Sequence, residues 1–163
     1  MKYDIEPLPF NVFEWAIFAL AAGAWLHWAW HFTSLPVDVA VPMQYGLHGE
    51  PVWTATGRWW SLLYPSISLL MAVAVAIAHG KPHQFSYMFA ITRQNRKRQY
   101  ALAQGAFTLI MLQASVLLFY IQYLSPEVLT GQVAGLNSYI VQGIIASLFV
   151  TLLGYVLLSY KSR

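Results

Sequence analysis

The sequence predicts an all-α integral membrane protein with four transmembrane helices and a structured loop between the first two. Its 163 residues are 58% hydrophobic and only 9% charged, whereas soluble domains carry about 25% charged residues. Four apolar segments follow one another, each of about 20 residues, the length that a helix needs to cross a hydrocarbon core. Residues 1–163 are therefore predicted to form a single four-helix membrane domain.

The four predicted spans cover about residues 11–32, 59–79, 101–123 and 138–160. Asn11 is a suitable N-cap for the first span, and Glu14 lies in its first turn, where the helix dipole favours an anion. In the second span, Pro65 predicts a kink or a loosened turn. Ser125-Pro126-Glu127 is predicted to end the third span, because proline cannot continue a helix without losing a hydrogen bond.

The long interruption between the first two spans is predicted to be an ordered, turn-rich loop. Its prolines fix φ and its glycines permit tight turns, and it is far longer than the roughly 2–8 residues that connect neighbouring helices in bundles. Aromatic and polar side chains in this loop form a candidate partner-binding surface, namely Tyr45, His48, Glu50 and Trp53. The alternative is a plug that covers the end of its own bundle.

The distribution of basic residues predicts the orientation of the chain. Of the nine Lys and Arg residues, eight fall on one side of the predicted spans, and only Arg58 falls on the other. The positive-inside rule then places both termini and the basic segment 81–98 in the cytoplasm, with that segment among lipid headgroups. Because the bases lie at membrane edges, nucleic-acid binding is not expected. Arg58 is predicted to form an ion pair with Asp38 or Glu50.

Three histidines on the predicted outer side form a candidate metal site. His27 and His31 are four residues apart and share one face of a helix, and His48 follows in the loop. Imidazole is a common metal ligand, and either helical histidine is also a suitable axial ligand for a haem or a chlorophyll-type tetrapyrrole. The alternative is that both are interfacial histidines bonded to water or to carbonyl groups. The residues alone do not identify a cofactor.

No catalytic motif is present in the sequence. It contains no nucleophile–base pair, glycine-rich phosphate loop or HExxH pattern, and it has no cysteine, so we predict no catalytic residues and no enzymatic activity. Glu14 is the only acid inside a predicted span, and an ionisable group there is a candidate for ion or proton handling. Its place in the first helical turn favours capping or headgroup contact instead.

The stretch Leu35-Pro36-x-Asp38…Val41-Pro42-Met43-Gln44-Tyr45-Gly46-x-x-Gly49-Glu50-Pro51, followed by an apolar span with Pro65, resembles a bacterial membrane domain of unknown function. That domain is found N-terminal in SdpI-like immunity proteins. The resemblance covers residues 35–67, and Gln44 stands where the family has histidine, so no role of that histidine is carried over. The resemblance implies a multi-pass protein of the bacterial inner (cytoplasmic) membrane with a structured outer loop.

Together these observations predict a non-catalytic integral membrane protein. It would serve either as an accessory subunit of a larger membrane complex or as an immunity-like partner-binding protein, and its expected partners are the lipid bilayer and other membrane protein subunits. The alternative function is binding of a metal or a tetrapyrrole through the outer-side histidines His27, His31 and His48.

Overall fold

The computed structural model describes residues 10–162 and contains four helices that are long and apolar enough to span a membrane. They are α1 (Val12–Phe32), α2 (Leu63–Ala78), α3 (Arg96–Leu129) and α4 (Ser138–Tyr160). A 3-10 turn over Arg58–Leu62 precedes α2 and extends that membrane-length segment to Arg58–Ala78. The prediction of a mostly helical chain with four such helices is confirmed. Lys2 and Arg163, two of the bases that set the predicted orientation, lie outside the described residues.

The loop between α1 and α2 folds into a β-hairpin, which the all-α prediction did not include. Its strands are β1 (Ala40–Tyr45) and β2 (Pro51–Thr56), and they pair antiparallel with Ala40 opposite Thr56. A shorter 3-10 turn, Pro82–Gln84, follows α2. The rest of the segment up to α3 has no regular secondary structure.

The first turn of α1 is closed by a reciprocal capping box. The Asn11 side-chain oxygen accepts hydrogen bonds from the backbone N–H groups of Phe13 (2.9 Å) and Glu14 (3.0 Å). In return, Glu14 Oε2 accepts the backbone N–H of Asn11 at 2.8 Å. These bonds satisfy donors that a helix start otherwise leaves without partners. The predicted capping roles of Asn11 and Glu14 are therefore seen in the structure.

Helix α3 is longer at both ends than the predicted span of residues 101–123, and it continues through Pro126 to Leu129. A proline removes one backbone donor, which is disruptive mainly in the interior of a helix. Here Pro126 lies in the last turn, so little helix remains beyond the missing bond. The hydroxyl of the preceding Ser125 donates to the Ile121 carbonyl at 2.7 Å. The prediction that Ser125-Pro126-Glu127 ends the third span is therefore wrong.

Helices α1, α2 and α3 pack around one apolar core. Its buried residues are Ile17 and Ala21 from α1 and Ala72 and Val75 from α2, with side chains of α3 packed against them. Small residues at such positions let helix backbones approach closely. Helix α4 makes its helix–helix contacts with α3, where Gln113 Nε2 donates to Thr151 Oγ1 at 3.0 Å.

The two ends of the bundle carry different groups. We call the end with β1, β2 and the α3–α4 loop the hairpin end, and the end with residues 79–98 and the C-terminus of α4 the basic end. At the basic end, Gln99 Nε2 donates to the Ser159 carbonyl at 2.9 Å and joins α3 to α4. The ring centroids of Phe85 and Phe107 are 5.4 Å apart. The segment between α2 and α3 is therefore packed against α3.

Candidate functional site

The hairpin turn is built around glycines. The Gly46 N–H donates to the Glu50 carbonyl at 2.8 Å, and the Gly49 N–H donates to the Gly46 carbonyl at 3.0 Å. Gly49 has φ of +84°, a left-handed conformation that glycine adopts without the steric cost of a Cβ. The pairing shifts register around residues 42–45, as expected where a proline interrupts a strand.

The hairpin is bonded to three other parts of the chain. The Tyr64 hydroxyl of α2 donates to the Pro42 carbonyl at 3.0 Å in a buried position. The N–H of Leu136, in the α3–α4 loop, donates to the Gly49 carbonyl at 2.8 Å. From α4, Gln142 Nε2 donates to the Leu47 carbonyl at 3.2 Å. These contacts hold the hairpin over its own bundle, as the plug interpretation expects.

At the hairpin tip two backbone segments are in direct contact. A Cβ added to Gly49 would lie 1.8 Å from the Leu136 carbonyl oxygen, and one added to Gly135 would lie 2.3 Å from the Gly49 carbonyl oxygen. Real Cβ atoms do not approach other heavy atoms so closely, so both positions require glycine for this docking. The sequence showed the glycines but not that they meet.

The four predicted partner-binding residues do not share one environment. His48, Glu50 and Trp53 are exposed on the hairpin. Tyr45 is half-buried, and its hydroxyl is buried near Ser125 of α3. Burial raises the pKa of Tyr45 above its ordinary value, because the phenolate would lose hydration. The hydroxyl of Tyr45 therefore faces its own bundle rather than solvent.

The predicted ion pair of Arg58 is wrong. Among residues 10–162 no salt bridge joins Arg58 to Asp38 or Glu50. Its guanidinium lies over the Phe32 ring, 4.8 Å from the ring centroid, in a cation–π contact. For Glu50 the reason is the hairpin, which carries Glu50 to its tip, beside Gly46. The backbone N–H of Arg58 instead donates to the Val37 carbonyl at the hairpin base.

Two of the three candidate metal ligands lie together. The ring centroids of His27 and His31 are 4.5 Å apart, and Tyr123 of α3 lies 5.4 Å from the His27 ring. The Nδ1 atom of His27 is buried and has no hydrogen-bond partner. His48 lies in the hairpin turn, and the described chain contains no group of three His, Asp or Glu side chains arranged to hold a metal. The structure thus contains a histidine pair, without His48 completing it.

A cleft of about 660 Å³ with a mostly apolar lining opens beside this pair, between the C-terminal ends of α1 and α3. His31 and Ser34 line one wall, and Pro126, Glu127 and Thr130 line the other. The sequence pointed to His31 but not to the α3 residues. The feature of the sequence that marks them is the Pro126-Glu127 pair at the predicted end of the third span, which predicts a helix end rather than a cleft.

A buried acid–histidine pair joins α1 to α2 at the basic end. Glu14 is 1% exposed, and its Oε1 atom lies 3.1 Å from Nδ1 of His79, the C-cap residue of α2. The ring of Phe10 stacks on His79 with centroids 4.0 Å apart. Both carboxylate oxygens of Glu14 are thus engaged within the protein, one by Asn11 and one by His79.

These features define a class: a mostly helical protein with four membrane-length apolar helices and a β-hairpin docked across one end. Comparisons with protein-family models, curated proteins and solved structures found no significant match. The fold does not by itself imply a function, so a function has to be argued from the sites.

Proposed function

We propose that the protein is a non-catalytic membrane component that binds another membrane protein through its hairpin. It acts either as an accessory subunit of a larger complex or as an immunity-like partner-binding protein. The observation that carries this proposal is that the hairpin is anchored at three places and still exposes β2. Val52 and Trp53 are 60% and 57% exposed. A surface that is already ordered loses less conformational entropy when it binds.

The chemistry of the exposed strand suits a protein partner. Tryptophan is enriched among the residues that contribute most to protein–protein binding, and His48 and Glu50 place polar groups beside Trp53. The exposed Trp59 and Trp60 follow directly after the hairpin, and tryptophan favours the membrane–water interface. A partner embedded in the same membrane would contact β2 close to the membrane–water interface.

The proposed location is the bacterial inner membrane, with the hairpin outside and both termini in the cytoplasm. The support is the charge distribution among residues 10–162. Six bases lie at the basic end (Lys81, Arg93, Arg96, Lys97, Arg98 and Lys161), and only Arg58 lies towards the hairpin end. Membrane proteins retain such clusters on the cytoplasmic side.

Single cysteines test this orientation, because the chain has no cysteine of its own. Thr54 in β2 and Ser86 at the basic end are both exposed. In intact cells, an impermeant maleimide is expected to label Thr54→Cys, and to label Ser86→Cys only after the membrane is permeabilised. Labelling of Ser86→Cys alone would reverse the orientation, and labelling of both in intact cells would contradict a membrane-spanning arrangement of α2.

Site-specific photocrosslinking tests the docking surface without disturbing the anchors of the hairpin. Benzoylphenylalanine at Trp53 is expected to give one discrete product with a membrane protein in cells, and the additional change Val52→Asp should abolish it, because a charge would be buried in the interface. Benzoylphenylalanine at Trp15, which is exposed near the basic end, is the matched control and should not give this product. Absence of the product from a folded, inserted protein would leave the hairpin as a lid only.

A second candidate function, metal or tetrapyrrole binding, is favoured by the histidine pair. A bound ligand would satisfy the buried Nδ1 atom of His27, and rings 4.5 Å apart can both face one metal ion. His48 is not needed for this proposal. An absorption spectrum and metal analysis of the purified protein, repeated on His27→Leu, test it, and a colourless, metal-free wild-type protein would reject it.

A further inference from the structure

We propose that α3 and α4 form a binding site for one anionic phospholipid at the basic end. An acyl chain would occupy an apolar groove between the two helices. The lipid phosphate would contact Lys97, Arg98 and Lys161, which lie at the end of that groove.

Each of the two helices contributes a glycine to the lining of the groove. The groove has a volume of about 310 Å³, and its walls include Ala101, Gly105 and Leu109 from α3 and Gly154, Tyr155 and Leu158 from α4. A Cβ placed on Gly105 or on Gly154 would have no neighbouring atom within 4 Å. Since an apolar space offers water no hydrogen-bond partners, a hydrocarbon chain is the natural occupant within a membrane.

Helix geometry places three bases at one end of this groove. Lys97 and Arg98 precede the groove residues Ala101 and Leu102 by four positions each, and Lys161 follows Leu158 by three. Residues three or four positions apart share a helix face. All three basic side chains are exposed, and long basic side chains at helix ends reach the headgroup region.

The described residues offer these three bases no carboxylate partner. Asp38, Glu50 and Glu127 lie at the hairpin end, and Glu14 is buried against His79. The only salt bridge within residues 10–162 is that between Glu14 and His79. Basic side chains beside a membrane attract anionic headgroups. A lipid phosphate would therefore supply the missing counter-charge.

Polar contacts join α3 to α4 at the basic end and at the groove itself. Gln99 Nε2 bonds the Ser159 carbonyl at the basic end, and Gln113 Nε2 bonds Thr151 further along the helices. These bonds link the two helices that form the groove, and Thr151 also lines it. A second, parallel copy of this chain is a poorer occupant, because it would bring its own bases against Lys97 and Arg98.

Native mass spectrometry of the detergent-purified protein tests the charge requirement. The protein is titrated with phosphatidylglycerol or phosphatidylcholine of identical acyl chains. We expect the phosphatidylglycerol adduct to saturate at one lipid, with several-fold higher occupancy than the phosphatidylcholine adduct. The double variant Arg98→Gln/Lys161→Gln should lower it to the phosphatidylcholine level. Arg93→Gln, which removes an exposed base outside the groove, should leave it unchanged.

A second pair of variants tests the groove. Gly105→Leu should lower binding of both lipids, whereas Gly143→Leu, also free of neighbours within 4 Å but outside the groove, should not. Equal occupancy by the two lipids, or a phosphatidylglycerol adduct unchanged by both the charge variant and Gly105→Leu, would overturn the proposal. A dimer that Gly105→Leu dissociates, without any lipid adduct, would assign the groove to a second copy and also overturn it.

Discussion

Replacing Gly49 by alanine is expected to detach the hairpin tip from the α3–α4 loop. The new Cβ would lie 1.8 Å from the Leu136 carbonyl oxygen, and the residue would keep a φ of +84°. The left-handed conformation alone costs an L-residue about 1–2 kcal/mol, and the clash can be relieved only by moving one backbone away from the other. We therefore expect the Leu136 N–H, which bonds the Gly49 carbonyl at 2.8 Å, to exchange with solvent at least about tenfold faster, the equivalent of about 1.4 kcal/mol.

Gly131 provides a matched control for the backbone conformation. Its φ is +71°, and a Cβ there would meet no atom within 4 Å. Gly131→Ala therefore introduces a similar conformational cost without a clash at the hairpin. Hydrogen exchange at Leu136 should change little in this variant. If both alanine variants speed the exchange equally, or if neither does, the contact between Gly49 and Leu136 does not hold the hairpin in place.

Replacing Glu14 by leucine is expected to lower the thermal stability of the bundle. The change removes the acceptor of the Asn11 N–H and the partner of His79 Nδ1. Leaving a buried polar group without its partner costs about 1–3 kcal/mol. The half of the capping box in which Glu14 accepts the Asn11 N–H is lost as well. The midpoint of thermal unfolding in detergent should therefore fall by several degrees.

Glu14→Gln separates hydrogen bonding from charge. Glutamine keeps the length of the side chain and one carbonyl acceptor, so its midpoint should lie between those of the wild type and Glu14→Leu. An unchanged midpoint in Glu14→Leu would show that the pair with His79 does not stabilise the bundle. The hypothesis that Glu14 handles protons or ions would then become the better account of a buried acid.

The helices were predictable because the length of an apolar run decides whether it can span a membrane. The predicted limits of the fourth span, residues 138–160, coincide with α4, since Asn137 caps its start and a base follows its end. The hairpin was not recognised because Pro42 interrupts the strand pattern of β1, and proline in a strand argues against a strand. The turn glycines Gly46 and Gly49 were the signal that should have weighed more.

In the candidate sites, contacts between residues close in sequence were predictable, and contacts between residues far apart in sequence were not. The capping role of Glu14 follows from its spacing to Asn11, but His79 lies 65 residues further along the chain, and only the packing of α1 on α2 reveals it. The pairing of His27 with His31 follows from helix periodicity. The position of His48 depends on how the hairpin docks. The partner of Arg58 depends on the same docking, and for this reason its ion pair was predicted wrongly. Contacts set by tertiary packing are not encoded in local spacing.

The docking of the hairpin on Leu136 and Gln142 has a consequence for the synthesis of the protein. The hairpin leaves the ribosome well before these residues, which belong to the α3–α4 loop and to α4. Because domains mature as the chain emerges from its N-terminus, a nascent chain that has inserted only its first three helices carries a hairpin lacking two of its anchors. The final position of the hairpin tip is therefore reached only when the α3–α4 loop and α4 have joined the bundle.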